Sequence, residues 1–363
     1  MKKQEVKVVV GANLGDEGKG LVSYCLGETS IGQGKKVLTV LYNGGAQRAH
    51  TARGKIFHCT GTSDFIGGDT YYHHKFLLDP ITLWLTGETV FIDPRCRVIL
   101  PCDVVRNRKK EISRGDKKHG SCGMGIFEAS KRSADVSLCV YAMELLYPYS
   151  LYKRVKRIQE TYNNQMEDDE LYNLDNWMRA VAYVTENCQI KSFDEVYPDY
   201  DTIIYEGGQG LLLDQSNLGD FPHLTPSSVG AYNIAGDIAA LNLPTSVYYV
   251  SRTYMTRHGA GPMEAECEKK DINPNIVDKT NEENPWQGKL RFGYLNTDSL
   301  YSRVKRDLSQ YGSEVEANMV FTQLNYTNNK LCVGNNQFIE IAKPDFIHSV
   351  LGSDREDNMF KVM

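Results

Sequence analysis

The beginning of the chain restricts the possible folds more than any other segment does. The apolar, β-branched run Val6–Val10 leads directly into the glycine-rich stretch Gly11–Gly20, and a helix-length segment, Lys19–Thr29, separates it from a second apolar run, Val37–Leu41. Short apolar runs bounded by glycine are typical of buried strands, and two strands joined through a helix form a β-α-β unit. The sequence therefore predicts an α/β fold around a mostly parallel sheet. The length of 363 residues leaves room for one large domain or two ordinary ones.

The glycine-rich stretch, GANLGDEGKG, predicts a P-loop-like phosphate loop. Glycines let backbone N–H groups approach phosphate oxygens, and Lys19 can neutralise those oxygens at the start of a helix. The stretch is not a Walker A motif, which requires Gly-x-x-x-x-Gly-Lys-Ser/Thr. Asp16 is the unusual residue, since a carboxylate beside phosphate is repulsive unless it holds Mg²⁺ or acts as a base.

Three more apolar runs predict buried strands, and polar or glycine-rich residues follow each run at once. They are Thr202–Tyr205, Ser246–Val250 and Met319–Thr322. Ligands of open α/β sheets bind outside the carboxyl ends of the strands, so we expect these segments to converge on one crevice. The spacing of apolar residues in Asp135–Gln159 and in Glu170–Cys188 predicts two helices.

Charge, hydropathy and cysteine spacing exclude several classes of function. The net charge of −5 gives no general basic surface for nucleic acid. No apolar run approaches the roughly 20 residues that span a bilayer, and the N-terminus lacks a signal-peptide core, so we expect a cytoplasmic protein without membrane contact. The nine cysteines show no Cys-x-x-Cys pair, and we interpret them as reduced thiols rather than zinc ligands.

Five further motifs extend along the chain: Tyr42–Thr51, Gly120–Ile126, Tyr205–Asp214, Phe221–Thr225 and Thr256–Pro262. Together with Gly15-Asp-Glu-Gly-Lys-Gly20 they resemble, in the same order, the motifs of the adenylosuccinate synthetases. These purine-pathway ligases join aspartate to a 6-oxopurine nucleotide. The first of the five, for example, is similar to the family's Gly-Gly-His-Asn-Ala-Gly-His-Thr segment. The resemblance implies a single large α/β domain, residues 1–363, and a homodimer.

The resemblance also implies roles for the residues around the glycine loop. In the family, the aspartate that matches Asp16 removes the purine N1 proton while the 6-oxygen attacks the γ-phosphate, and it also ligates Mg²⁺. The histidine that matches His50 stabilises that oxygen and the transferring phosphoryl group. We therefore expect Mg²⁺ on Asp16 and on the Ala49 carbonyl. The donor nucleotide is expected at Gly15, Glu17, Gly18, Lys19 and Gly20.

The resemblance also assigns residues to the purine nucleoside monophosphate and to L-aspartate. The purine nucleoside monophosphate is expected at Gln47, Ser121, Cys122, Thr225 and Gln209, with Gln209 facing the purine. Cys122 replaces a family threonine. Lys131 or Arg132 matches, with shortened spacing, a family arginine that crosses a dimer interface, and we assign Arg132 to the substrate. L-Aspartate is expected at Arg291 and Lys289, because a guanidinium can grip a carboxylate with two hydrogen bonds.

Departures from the family pattern indicate a different donor. Gln323 and Asn325 stand where the family has the Lys and Asp that recognise guanine, and Asn325 has a donor as well as an acceptor. Gly352 and Ser353 correspond to the family's Gly-Pro beside the same base. We therefore expect ATP or dATP in place of GTP.

The same departures are typical of a bacteriophage branch of the family, the 2-aminoadenylosuccinate synthetases, which convert dGMP on the way to 2-aminoadenine DNA. The chain resembles that branch in a form that retains Asp16. We predict a ligase that acts on dGMP, in the host cytoplasm if a phage encodes it. GMP as substrate, an ordinary adenylosuccinate synthetase acting on IMP, and an inactive nucleotide-binding regulator remain as alternatives.

Overall fold

The β-α-β opening expected from the sequence is present in the computed structural model of the chain. The structure describes residues 4–46, 48–52, 55–57, 60–162, 169–278, 288–312, 314–353 and 361–362. Strand β1 (Glu5–Gly11) is followed by helix α1 (Lys19–Gly32) and strand β2 (Val37–Leu41). β1 and β2 do not pair with each other, because β10 (Thr202–Gly210) lies between them and runs parallel to both.

The largest sheet in the described part of the chain has ten strands. In the order in which they hydrogen-bond, these are β19 (Lys361–Val362), β18 (Ser349–Ser353), β15 (Glu316–Thr322), β11 (Thr245–Arg252), β1, β10, β2, β5 (Asp69–Tyr72), β7 (Phe91–Ile92) and β9 (Gln189–Ile190). All neighbours are parallel except the pair β18 and β19. The predicted α/β fold around a mostly parallel sheet is confirmed, and the carboxyl ends of its main strands lie along one edge.

The remaining strands form short two- and three-stranded sheets around this edge. They are β3 (His50–Ala52), β4 (Lys55–Phe57), β6 (Leu77–Leu78), β8 (Arg97–Val98), β12 (Met255–His258), β13 (Glu266–Cys267), β14 (Leu290–Gly293), β16 (Leu331–Gly334) and β17 (Gln337–Ile339). The helices after α1 are α2 (Pro80–Thr86), α3 (Pro101–Ser113), α4 (Ile126–Ser133), α5 (Pro148–Thr161), α6 (Leu174–Asn187), α7 (Phe193–Val196), α8 (Ala231–Leu241), α9 (Lys269–Ile272) and α10 (Thr297–Leu308). No helix of the described residues has the length and apolar character needed to cross a bilayer.

Helices cover both faces of the central sheet. Val8 of β1 belongs to a buried cluster with Ile234 of α8 and Leu300 of α10. The next residue, Val9, points to the other face and packs with Val22 of α1. Because successive strand residues face opposite sides, a continuous apolar strand requires a layer on each side, and β1 has both.

One predicted helix is shorter than the sequence indicated. The interpretation of Asp135–Gln159 as one helix is wrong, because the segment before Tyr147 forms turns and a short 3₁₀ helix, Ala142–Leu146. Its backbone instead bonds to the region around β8: Val98 N–H donates to the Val140 carbonyl at 2.9 Å. Pro148, which has no N–H to continue a preceding helix, then begins α5. The second predicted helix corresponds to α6.

Asp307 joins three elements behind the glycine loop. Its buried carboxylate accepts hydrogen bonds from the Ala231 N–H at the start of α8, at 2.9 Å, and from the Tyr249 hydroxyl in β11, at 2.8 Å. Gly230 has a φ of 76°, and a Cβ there would lie 2.9 Å from Asp307 Cγ. Burial raises the pKa of Asp307 to about 6, although both hydrogen bonds favour the charged form.

The raised pKa of Asp307 predicts a pH-dependent stability. The folded state binds this proton more tightly than the unfolded chain, so the stabilisation is complete below the ordinary value of 3.8 and is lost as the pH rises through about 6. Relative to Asp307→Asn, the wild type should lose on the order of 3 kcal/mol of unfolding free energy between about pH 4 and pH 7. Urea denaturation of both proteins across this range measures the difference, and parallel pH curves would contradict it.

Candidate active site

The glycine loop connects β1 to α1 at the carboxyl edge of the sheet. Gly15 and Gly18 have φ values of 116° and 96°, which residues with a side chain rarely adopt. A Cβ on Gly18 would lie 3.2 Å from Thr322 at the end of β15, and the Thr322 hydroxyl donates to the Glu17 carbonyl at 2.6 Å. The loop is therefore tied to a neighbouring strand end as well as to its own helix.

Glu17 fills the loop with the chain's own carboxylate. Its Oε1 accepts hydrogen bonds from the N–H groups of Asn13 and Gly15, at 3.0 and 2.7 Å, and its Oε2 lies 2.9 Å from Lys19 Nζ. Lys19 also donates to the Gly15 carbonyl at 2.5 Å, and both charged side chains are buried. These contacts show that Glu17 shapes the loop.

Asp16 lies half-buried beside Arg252, the last residue of β11. The Asp16 carbonyl accepts a hydrogen bond from Arg252 Nε, and Arg252 Nη2 forms an ion pair with Asp278 at 2.7 Å. Burial raises the pKa of the Asp16 carboxyl, the charge of Arg252 opposes the rise, and the like charge of Glu17 adds to it. A carboxylate with a raised pKa is a stronger base than an exposed one, which suits proton abstraction.

His50, the first residue of β3, belongs to a buried cluster with Arg48 and Glu206. Its Nδ1 lies 2.7 Å from Glu206 Oε1 and 3.2 Å from Arg48 Nη2. Arg48 Nη2 also donates to Glu206 Oε1, and Thr62 Oγ1 donates to Glu206 Oε2 at 3.2 Å. Burial and the charge of Arg48 lower the pKa of His50 to about 4. Burial opposes the charge on Glu206, but Arg48 and His50 outweigh it and lower its pKa to about 2.

These contacts fix the protonation of the cluster. Near neutral pH Glu206 is ionised and the His50 ring is neutral. A carboxylate oxygen 2.7 Å from Nδ1 requires the ring proton to be on Nδ1. Nε2 therefore carries a lone pair and accepts hydrogen bonds until the ring takes up a second proton.

Helix α1 brings His50 against the glycine loop. Gly20, the second residue of α1, leaves room for the imidazole, because a Cβ there would lie only 2.7 Å from His50 Cγ. The charge of Lys19 favours ionisation of Asp16 and opposes protonation of His50. His50 thus packs on the helix that begins directly after the glycine loop that holds Asp16.

The residues expected beside the donor base lie together at one end of the site. Gln323 follows β15 with a φ of 63°, and Asn325, two residues later, is exposed. Gly352 and Ser353 end β18, which pairs with β15 so that Ser353 is opposite Thr322. Ser353 is buried, and its hydroxyl has no hydrogen-bond partner among the described residues.

The residues expected around the monophosphate come from three segments. Ser121 donates to Asn107 Oδ1 at 2.9 Å, and burial raises the pKa of the Cys122 thiol to about 11. Thr225 is half-buried, and its hydroxyl lies 3.4 Å from that of Ser227. Gln209 is buried, and within the described chain its Oε1 has no partner. Gln47 lies outside the described residues.

Gly120 holds the first of these segments against the turn at residues 259–261. Its φ is 82°, and a Cβ there would lie 2.6 Å from the Ala260 nitrogen. Conversely, a Cβ on Gly259 would lie 3.2 Å from the Gly120 carbonyl. The two backbones are therefore in direct contact, without side chains between them.

Arg132, which the sequence assigns to the substrate, makes contacts within the fold in this structure. Arg132 is buried in α4, where its guanidinium pairs with Asp103 at 2.9 Å and donates to the carbonyls of Leu138 and Val98 at 2.6 and 2.7 Å. Four of its five N–H groups can be used in this way, so the side chain holds the fold together. Lys131, the alternative from the sequence, is exposed.

The expected aspartate site has a carboxylate in it already. Arg291 in β14 forms a two-point ion pair with Glu266 and donates to the Gly261 carbonyl at 2.8 Å. Hydrogen bonding to Glu266 raises the pKa of Arg291. Lys289, two residues before Arg291, is exposed. For Arg291 to bind a substrate carboxylate, the Glu266 carboxylate must first move away from the Arg291 guanidinium.

Three charged residues of the site were not among the predicted ones: Arg48, Glu206 and Arg252. Arg48 and Glu206 lie inside two of the motifs, and Arg252 lies in the polar segment that follows the predicted strand Ser246–Val250. A buried charge requires a partner, so a charged residue at the carboxyl end of a buried strand is the sequence signal that indicates such a position.

The predicted magnesium ligands consist of one carboxylate and one carbonyl. Asp16 is half-buried and Ala49 is exposed. In the described ranges, no group of three or more His, Cys, Asp or Glu side chains could hold a metal ion. Mg²⁺ commonly uses one or two carboxylates and takes its other oxygens from phosphates and water, so Asp16 fits an ion that arrives with a nucleotide.

Comparison with known families identifies the chain. A family model described as adenylosuccinate synthetase matches residues 8–308. The chain belongs to this family. The match spans β1 to α10 and includes the glycine loop, the His50 cluster and the aspartate-site strand β14.

Curated adenylosuccinate synthetases are distant relatives of this family member. That of Clostridium beijerinckii is 23% identical over 287 residues, which cover 71% of this chain and 65% of that protein. The enzyme of Acaryochloris marina is 26% identical over 293 residues, which cover 71% of this chain and 62% of that protein. The enzyme of Neisseria gonorrhoeae is 28% identical over 289 residues, which cover 71% of this chain and 64% of that protein. The chain thus spans a little under two thirds of the length of these relatives.

Two solved structures share the fold of this adenylosuccinate synthetase family member. The fully ligated adenylosuccinate synthetase from Plasmodium falciparum has a TM-score of 0.71, covers 99% of this chain and 87% of its own, and is 16% identical. The second is the succinoaminodeoxyadenylate synthetase PurZ of cyanophage S-2L, which was solved with dGMP and with dATP as an energy donor. It has a TM-score of 0.58 and is 16% identical, and the match covers 89% of this chain and 86% of that chain. At these identities the likeness establishes the fold.

The close packing of Gly20 on His50 predicts a specific effect of Gly20→Ala. The added methyl must displace the imidazole, so we expect the pKa of His50 to rise from about 4 toward its ordinary 6.5. Overpacking of this kind should also cost about 1–3 kcal/mol of stability. Titration of the histidine ring protons by NMR and thermal unfolding measure the two effects.

Gly32→Ala is the matched control in the same helix, because nothing lies within 4 Å of the Cβ that it would add. This control should leave the His50 titration unchanged. Unchanged titration in Gly20→Ala itself would contradict the packing described here.

Proposed function

We propose that this adenylosuccinate synthetase family member is a carbon–nitrogen ligase that uses ATP or dATP to join L-aspartate to the 6-position of dGMP. The product would be the deoxy form of 2-aminoadenylosuccinate, for 2-aminoadenine DNA synthesis in a phage. The observation that carries the proposal is that the His50 ring packs on Gly20 of α1, the helix that begins directly after the glycine loop that holds Asp16. All three substrates are cytoplasmic metabolites, and the reaction belongs in that compartment.

The chemistry has two steps. The Asp16 carboxylate takes the proton from purine N1 while the 6-oxygen forms a bond to the γ-phosphorus, and the bond from that phosphorus to ADP breaks. The amine of aspartate then bonds to C6, phosphate leaves with the 6-oxygen, and the amine proton passes to solvent. Mg²⁺, held by Asp16 and the Ala49 carbonyl, would offset the charge of the phosphates. The charged cluster of Arg48, His50 and Glu206 supplies a preorganised polar environment at the 6-oxygen.

The choice of donor rests on Gln323 and Asn325. A carboxylate accepts hydrogen bonds from both N1–H and the 2-amino group of guanine, whereas the Asn325 amide offers only one acceptor oxygen. Asn325 lies three residues after the end of β15, whose last residue, Thr322, is opposite Ser353 of β18, and the buried Ser353 hydroxyl has no partner among the described residues. This position supports an adenine base in the pocket.

The choice of dGMP is supported by a structural neighbour, since PurZ of cyanophage S-2L was solved with dGMP and dATP. The alternative, IMP, is supported by the curated relatives, which are described as adenylosuccinate synthetases. Both substrates carry the N1 proton and the 6-oxygen that the reaction needs. We also propose a homodimer, in which exposed Lys131 rather than buried Arg132 would face the partner subunit.

Substrate competition is the direct test of this function. The purified chain is incubated with Mg²⁺, aspartate and ATP or dATP, and with dGMP, GMP or IMP in turn, while phosphate release and product mass are measured. We expect aspartate-dependent turnover with dGMP. Turnover with IMP alone would remove the dGMP proposal, and nucleotide binding without any turnover would indicate a regulator.

Asp16→Asn tests the base in the same assay. Because an amide of the same shape cannot take the proton, we expect phosphoryl transfer to fall by about 10²–10⁴-fold while nucleotide binding is retained. Asp199→Asn is the matched control, since Asp199 is exposed just before β10, at the opposite edge of the sheet. Loss of folding in Asp16→Asn would show instead that the residue is structural.

Asn325→Asp tests the donor pocket. The new carboxylate can accept both guanine hydrogen bonds, so we expect the rate with GTP relative to ATP to rise by about tenfold or more. Asn329→Asp adds the same charge nearby on the exposed turn after β15 and should leave donor preference unchanged. No shift in Asn325→Asp would contradict the assignment of this pocket.

A further inference from the structure

A cavity of about 630 Å³ lies between α10, the start of α8 and the segment that follows β10. Its volume falls within the range of about 300–1,000 Å³ that is typical of pockets for small ligands. The residues that the sequence assigns to the donor nucleotide, the monophosphate and aspartate are not among the described residues that line it. The cavity therefore has no role in the function proposed above.

Helix α10 presents one polar face to this cavity. The residues that line the cavity from α10 are Ser299, Ser302, Arg303, Arg306 and Gln310. Positions three and four residues apart lie on the same side of a helix, so the two guanidinium groups are neighbours on the cavity wall. Leu300 and Val304 occupy another side of α10 and are buried in the core.

The charge of Arg303 is half-buried and has only neutral hydrogen-bond partners. Its Nε donates to the Ala12 carbonyl at 2.6 Å, its Nη1 donates to Ser299 Oγ at 3.1 Å, and its Nη2 donates to Asn13 Oδ1. No described carboxylate forms an ion pair with this guanidinium. Burial lowers the pKa of Arg303 to about 10, although more distant carboxylates oppose the change. A buried cation without a counter-ion favours an anion in the adjacent cavity.

Arg306 adds a second cation to the same wall, and the acidic residues of the cavity do not neutralise it. Arg306 is exposed, and it forms no ion pair with a carboxylate of the described ranges. Asp214 accepts hydrogen bonds from the N–H groups of Ser216 and Val229, at 2.8 and 2.6 Å. Asp307 is held by the two hydrogen bonds described above. Both guanidinium groups are therefore available to a ligand.

An aromatic ring completes the set of ligand-binding groups. Tyr232, the second residue of α8, lines the cavity and is nevertheless 74% exposed. An exposed aromatic face of this kind can stack with a planar base. Guanidinium groups suit phosphate oxygens, because they offer several N–H donors in one plane.

We propose that this cavity is a second ligand site, which binds a phosphorylated small molecule through the guanidinium groups of Arg303 and Arg306. The phosphate belongs either to free inorganic phosphate or to a nucleotide whose base lies against Tyr232. The site goes beyond the proposed ligase function and does not depend on it. Because Arg303 also bonds to Ala12 and Asn13 of the glycine loop, a bound anion would contact a residue that supports this loop.

Equilibrium dialysis of the full chain tests this site, with inorganic phosphate and dAMP as separate probes. We expect Arg306→Glu to weaken binding of one equivalent of probe per chain by about tenfold or more, because a carboxylate repels the phosphate that the guanidinium binds. Lys305→Glu is the matched control, since Lys305 is exposed on the same helix and does not line the cavity. Binding at the active site is common to all three proteins and cancels in the comparison.

A second variant makes the test independent of Arg306. Ser302→Asp places a negative charge on the cavity wall at another exposed position and should weaken both probes in the same way. Thermal unfolding confirms that each variant is folded. Binding of dAMP about tenfold tighter than that of phosphate, with the difference lost in Tyr232→Ala, would identify the ligand as a nucleotide, whereas equal affinities would identify it as free phosphate.

Two results would overturn the inference. One is unchanged binding of both probes in Arg306→Glu and in Ser302→Asp. The other is an equal loss in Lys305→Glu, which would indicate a general effect of charge on the protein surface. Neither measurement requires turnover, so failure of the proposed ligase function would leave this test intact.

Discussion

The buried contact between Glu17 and Lys19 determines the shape of the site and much of what surrounds it. Glu17 binds the N–H groups of Asn13 and Gly15, and Lys19 bonds back to the Gly15 carbonyl. Removing one partner of a buried ion pair typically costs about 3–5 kcal/mol, so these residues depend on each other. The loop is consequently built before any ligand arrives. The Glu17 carboxylate thus satisfies loop N–H groups that would otherwise lack an acceptor.

The positions of other residues of the site also depend on this loop. Lys19 is the first residue of α1, and Gly20 beside it allows the His50 ring to pack on the helix. Thr322 ties Glu17 to the end of β15, where the proposed base pocket begins. The carboxyl ends of β1, β10, β11 and β15 are neighbours in a parallel sheet, so residues far apart in sequence meet with little additional structure.

Much of the fold could be predicted because its signals are local. The runs at Val37–Leu41 and Thr202–Tyr205 are continuous, β-branched and bounded by polar residues, and only a strand buried on both faces satisfies that pattern. Asp135–Leu146 has helical spacing but hydrogen-bonds to the region around β8, a long-range partner that periodicity does not reveal. In the site, too, local signals could be predicted from the sequence and long-range contacts could not. Motif order located Asp16 and His50, whereas the burial of Arg132 on Asp103 depends on a contact 29 residues away in the chain.

The backbone contact between Gly120 and Ala260 joins two halves of the proposed crevice. Residues 120–122 belong to the proposed nucleotide site, and the carbonyls of Gly259 and Gly261 accept hydrogen bonds from Arg291 of the proposed aspartate site. Because no flexible side chain lies between them to absorb a displacement, a shift of one segment is transmitted to the other. In the proposed ligase the two substrates would share a single mechanical element, so we expect occupancy of one pocket to change the free energy of filling the second and their binding to be thermodynamically coupled.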